Sequence, residues 1–233
     1  MKKFISLILT AIFPLLASTA VYAGLLSIDI TNESLAGSLP LGASHDVAET
    51  QGAQGWYNAN LSATQDVTLT YQYLGFEAGW TNTFLVDGSQ VFWNRTGSID
   101  SVDFFASSVG DIATSSAVNG ALLDFAFDIL IGGNAGFGVV NGANNYPINT
   151  KIDSTDFGLP NFFLGYADSE HNSVYIALDD GGGAPWTNTS IDDDNHDDLV
   201  VKVTAVAVPE PTSLALMSLG LFGLGFSRRK RLQ

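Results

Sequence analysis

Leu122-Leu123-Asp124-Phe125-Ala126-Phe127-Asp128-Ile129-Leu130-Ile131 is the stretch that decides the fold. Leu123, Phe125, Phe127, Ile129 and Ile131 recur every second residue, with Asp124 and Asp128 between them. Side chains on a strand alternate between faces, so this period puts one apolar face in a core and one polar face in water. Upstream, Val67, Leu69, Tyr71 and Tyr73 alternate in the same way with Thr68, Thr70 and Gln72. Short apolar runs at 89–94, 162–167, 174–178 and 199–206 read as further strands, separated by turn clusters rich in Gly, Asn, Asp and Ser. The glycine-rich run 132–138 follows a strand with no Lys-Ser/Thr pair or helix behind it, so it reads as a hairpin turn and not a phosphate cradle. Sustained helical periodicity and internal repeats are absent from residues 24–207. The expectation is one all-β domain there, an antiparallel β-sandwich of jelly-roll type.

Charge is distributed unevenly. Lys2, Lys3 and four residues of the last six are basic, leaving Arg95, Lys151 and Lys202 against 23 acidic residues between Gly24 and Val208, a net charge of −20. A field of that sign repels nucleic acid and anionic lipid and draws in cations. The chain has no cysteine, which excludes disulfides and thiolate metal sites.

Both ends read as targeting segments. Met1-Lys2-Lys3, an apolar run over 4–16 and Val21-Tyr22-Ala23 have the order of a secretory signal peptide over residues 1–23, cut by signal peptidase after Ala23. At the other end Pro209-Glu210-Pro211 precedes an apolar segment at 212–226 and the basic cluster Arg228, Arg229, Lys230 and Arg231. Fifteen helical residues rise only about 22 Å, a short membrane helix that would enter the inner membrane transiently. The basic cluster orients it with the tail in the cytoplasm. Residues 208–233 thus resemble the PEP-CTERM sorting signal of Gram-negative bacteria that make extracellular polysaccharide. The resemblance implies processing by an exosortase near Pro209-Glu210-Pro211 and delivery of the body to the cell surface or extracellular matrix.

The densest chemistry lies just before the last apolar run, in Asp192-Asp193-Asp194-Asn195-His196-Asp197-Asp198. Asp193, Asn195 and Asp197 stand two residues apart, as at the start of a Ca²⁺ loop. The sixth-position Gly, the twelfth-position Glu and the flanking helices of an EF-hand are missing. Five aspartates in seven positions repel one another, and a divalent ion removes that repulsion; the alternative is a solvated acidic loop. Asp198 would add a ligand or cap backbone N–H groups at the mouth of the strand. Asp179 and Asp180, ahead of Gly181-Gly182-Gly183, would bring further oxygens or form an Asx-type turn, and Glu77 would be a metal ligand at a strand end or a charged edge residue. The acidic stretch, together with residues 75–84 and 174–183, also resembles segments that recur in PEP-CTERM proteins.

Catalytic signatures are weak. His45, His171 and His196 form no H-E-x-x-H or H-x-H pattern for zinc, no G-x-S-x-G elbow occurs, and acidic pairs are too many to single one out. Trp56, Trp80, Trp93 and Trp186 would stack on sugars or fill the core. The leading expectation is a non-enzymatic, Ca²⁺-stabilised surface or matrix protein associated with exopolysaccharide. The alternatives are a Ca²⁺-dependent carbohydrate-binding module or adhesin, and a glycan-processing enzyme.

Overall fold

The computed structural model describes residues 24–29, 34–35, 54–57, 59–133, 135–143, 160–180, 198–209 and 220. Among these residues the named elements are strands: β1 (Leu26–Ile28), β2 (Ser34–Leu35), β3 (Gln54–Tyr57), β4 (Leu61–Ala63), β5 (Val67–Gly75), β6 (Thr81–Val86), β7 (Ser89–Trp93), β8 (Gly97–Ile99), β9 (Val102–Phe104), β10 (Ile112–Ala117), β11 (Phe125–Ile131), β12 (Gly138–Val140), β13 (Asn161–Tyr166), β14 (Ser173–Asp179) and β15 (Leu199–Ala207). All pairings between them are antiparallel.

Two larger sheets organise the chain. One has seven strands in the order β10-β5-β15-β14-β13-β3-β2, and the other has four, in the order β12-β11-β6-β7. Their inner faces meet in a shared core, a sandwich-like arrangement. From the seven-stranded sheet come Val67, Leu69, Tyr71 and Tyr73 of β5, Val174, Ile176 and Leu178 of β14, and Leu199, Val201 and Val203 of β15. From the four-stranded sheet come Phe84, Phe92, Phe125 and Phe127. Aromatic rings join the layers: Tyr71 lies 5.6 Å from Phe84, Tyr73 5.9 Å from Phe92, and Phe125 5.3 Å from Phe162. Tilted and edge-on arrangements of this kind suit the ring quadrupoles. A second cluster of Trp56, Phe163, Tyr175, Ala177 and Val200 lies on the outer face of the larger sheet.

The apolar runs at 67–73, 89–94, 122–131, 162–167, 174–178 and 199–206 all coincide with strands. Their ends differ in detail. β11 begins at Phe125, Leu122 makes only an isolated bridge to Ser62, and Ile131 reaches the surface at 45% exposure beyond an irregularity in the β11–β6 ladder. The run 132–138 joins β11 to β12 as a hairpin. Gly132 adopts φ +143°, and a Cβ there would overlap the Trp80 ring, so close packing and backbone geometry both call for glycine. The β6–β7 hairpin turns through Asp87 and Gly88 at φ 50° and 70°, the left-handed pair that matches strand twist.

Asp128 occupies the outer face of β11, opposite Gly138, and burial holds its carboxyl above the ordinary carboxylate range. Folding therefore favours the protonated acid. That contribution is complete below the unfolded-state value and is lost as pH rises through the folded-state one. Asp128→Asn should change the melting temperature little at pH 3 and raise it at pH 7. A variant-minus-wild-type difference that does not grow with pH would contradict this placement.

Candidate functional site

The core faces of three strands end in polar residues at one pole of the molecule. On β6 the inward series Val86, Phe84 continues to Asn82; beyond β7, Phe92 is followed by Asn94; on β14, Val174, Ile176 and Leu178 lead to Asp180. Asn82, Asn94 and Asp180 are 0%, 1% and 6% exposed, and Asp198, at the entry to β15, is 5% exposed. Their positions follow from strand period: two residues beyond a core residue, the side chain again faces inward.

These four residues close a hydrogen-bonded ring. The Asn82 N–H donates to Asn94 Oδ1 at 2.8 Å, and Asn82 Nδ2 donates to Asp180 Oδ2 at 2.6 Å. The Asp180 N–H donates to Asp198 Oδ2 at 2.7 Å, and Asn94 Nδ2 donates to the Asp198 carbonyl at 3.3 Å. Asn94 Nδ2 also reaches the Trp80 carbonyl at 3.1 Å, while the Asp198 N–H donates to the Leu178 carbonyl at 3.1 Å. Asn82 and Asn94 belong to the smaller sheet, Asp180 and Asp198 to the larger, so the ring ties the layers together where apolar packing stops. Buried carboxylates are costly unless hydrogen bonds or a counter-ion compensate them, which makes this pole the place to look for a cation.

The predicted metal residues fall into three groups. Asp180 and Asp198 join the ring. Asp179 is 2% exposed but pairs with Asn161 on the outer face of the larger sheet, beside the second apolar cluster. Glu77 is exposed in the segment between β5 and β6, where Arg95 donates to the Ala78 carbonyl and stacks 5.8 Å from the Phe76 ring. Among the described residues, no three His, Cys, Asp or Glu side chains are grouped to hold a metal ion. Asp193, Asn195 and Asp197 lie outside the described residues.

Asn82 and Asn94 had no place in the sequence-based ligand set. The signal for them was present, since both continue an alternating apolar face inward. The tryptophans divide: Trp56 is buried 6.4 Å from Tyr175, Trp93 stacks on Phe104 at 6.3 Å, and Trp80 is half-buried against Gly132. Trp186 lies outside the described residues.

The opposite pole holds the chain's exits. There the Leu26 N–H donates to the His171 carbonyl at 3.0 Å, the Ala205 N–H to the Asn172 carbonyl at 2.8 Å, and the Val208 N–H to the Asp66 carbonyl at 2.9 Å, after which the chain leaves the sheet. Pro209 is exposed; Ala23, Glu210, Pro211, 212–219, 221–226, Arg228, Arg229, Lys230 and Arg231 lie outside the described residues. Among the described residues no helix is long and apolar enough to cross a membrane.

The last strand of this all-β body runs straight into a Pro-Glu-Pro, apolar and basic tail, the order of a C-terminal sorting signal. Residues 207–230 match the PEP-CTERM protein-sorting motif, and the motif implies export with membrane-anchored sorting by an exosortase. No curated protein and no solved structure matches the chain.

Replacing Asn94 by Ala removes one donor contact and one acceptor from the ring, and a further donor contact to the Trp80 carbonyl. The loss expected in chemical denaturation is about 2–4 kcal/mol, because buried partners are left unsatisfied. A cost below about 0.5 kcal/mol would mean that the ring does not hold the sheets together.

Proposed function

We propose that this chain is a non-enzymatic, Ca²⁺-stabilised protein delivered to the cell surface or extracellular matrix of a Gram-negative bacterium, where it associates with exopolysaccharide. The observation that carries the reading is the sorting motif at residues 207–230, which begins on the last residue of β15. Signal peptidase and exosortase are the processing partners, and the inner membrane holds the chain through 212–226 between the two events. The acidic body supports a role in cation-rich extracellular surroundings and weighs against nucleic acid. Asp193, Asn195 and Asp197, adjoining Asp198, would supply Ca²⁺ ligands.

A second reading is a Ca²⁺-dependent carbohydrate-binding module or adhesin. Trp80 favours it, since this half-buried ring stands at the same pole as the buried aspartates. Chelator-sensitive retention on exopolysaccharide would select this reading over the first.

Two measurements test the proposal. Wild-type chain should appear in the surface or matrix fraction, whereas a variant with Pro209, Glu210 and Pro211 replaced by Ala should remain with the inner membrane; equal distribution of the two would end the sorting assignment. Separately, Ca²⁺ should raise the melting temperature of the full chain and EDTA lower it, with a much smaller response in the Asp193→Ala/Asp197→Ala double variant. A wild-type melting temperature indifferent to both reagents would remove Ca²⁺ from the account.

A further inference from the structure

We infer that the Asn82–Asn94–Asp180–Asp198 ring is the inner half of a Ca²⁺ site that clasps the two sheets, with Asn82 Oδ1 as a neutral ligand contributed by the smaller sheet. The inference rests on the Ca²⁺ reading above and moves the ion's seat from the acidic loop alone to the interface between the layers.

The decisive observation is Asn82 Oδ1. Its residue is 0% exposed, and the atom is enclosed with no hydrogen-bond partner. The nitrogen of the same carboxamide donates to Asp180 Oδ2 at 2.6 Å. Buried polar atoms are almost always satisfied, so an enclosed carboxamide oxygen beside a carboxylate requires an explanation. Inverting the carboxamide gives no relief, because it would press Oδ1 against the Asp180 oxygen. A cation resolves both problems, since it accepts electron density from Oδ1 and from the carboxylates together.

The donor chemistry identifies the ion. Two carboxylates and a carboxamide oxygen are hard ligands with no sulfur among them, which disfavours soft metals. Ca²⁺ takes six to eight oxygens, mixes carboxylate with Asn carbonyl ligands and tolerates irregular geometry, whereas Mg²⁺ demands a small, near-octahedral shell. Water completes the coordination. The arrangement also accommodates the lack of a three-carboxylate group among the described residues, since the carboxamide stands in for the third acid. Because Asn82 is on β6 and Asp180 follows β14, the ion would bridge sheets already joined by hydrogen bonds at this pole.

Calorimetric titration with Ca²⁺ and melting curves in Ca²⁺ and in EDTA, on the full chain, test the assignment through two opposed variants. Asn82→Asp keeps an oxygen and adds charge: it should melt lower than wild type in EDTA, show a larger Ca²⁺-induced rise and bind Ca²⁺ several-fold more tightly. Asn82→Leu removes the oxygen and should lose more than half of the Ca²⁺-induced rise; if it fails to fold, Asn82→Asp decides. A residue serving only as a hydrogen-bonding clasp would lower both variants equally in Ca²⁺ and EDTA and leave affinity within twofold of wild type, which overturns the inference. If Asp193→Ala/Asp197→Ala abolishes the response while the Asn82 variants keep it, the ion sits in the loop and only this inference fails. If wild type does not respond, both readings fail.

Discussion

The interaction on which the rest of the structure depends is the closed circuit of hydrogen bonds through Asn82, Asn94, Asp180 and Asp198. Two sheets packed by aromatic side chains can slide, because dispersion and area burial have no strong directional preference. Hydrogen bonds do have direction. A ring that must be satisfied by residues of both layers fixes their relative position at one pole, and its low-dielectric surroundings make each unmade bond costly. Tyr71, Phe84, Phe92 and Phe125 then fill the space between sheets already held in register.

The two poles do different work. The ring pole is buried, polar and acidic. The opposite pole is built from backbone contacts that hold both exits of the body: the Gly24 carbonyl accepts from Thr64 Oγ1 at 2.6 Å, and Val208 is tied to Asp66. Gly24 is packed so closely on His171 that a Cβ there would overlap it, and the His171 ring itself stacks on Tyr166 at 3.7 Å. The segments that carry targeting information therefore leave from one side, remote from the chemistry.

Much of this was legible in the chain. Period-two alternation identified β5 and β11 and their buried faces, since Val67, Leu69, Tyr71, Phe125 and Phe127 are at most 2% exposed. β14, β15 and β13 were legible as apolar runs. β10 was not: among the described residues Ile112–Ala117 lies at the edge of its sheet, and after Ile112 its side chains are small or hydroxyl-bearing, so it carries little hydrophobic signal. Asp87-Gly88 was a strong hairpin signal that the apolar runs overshadowed. At the site, sequence density drew attention to the aspartates, yet density does not say which face a carboxylate takes. Asp179 and Asp180 are neighbours in sequence and go to opposite sides of the sheet, while the contribution of Asn82 depends on a partner 98 residues away.

The course of β15 turns these positions into a mechanical argument. The strand enters at the ring pole through Asp198 and leaves at the exit pole through Ala207, a span of about 30 Å for its nine residues. Asp198 consequently sits at the far end of the strand from the tail. Tension applied through the tail would run along β15, which is hydrogen-bonded to β5 on one side and β14 on the other. Pulling along a central strand loads its ladder bonds together in shear, whereas pulling across an edge would break them one by one. Clamping the distant end adds to this resistance, because the strand cannot slide out without tearing Asp198 from Asp180 and Asn94.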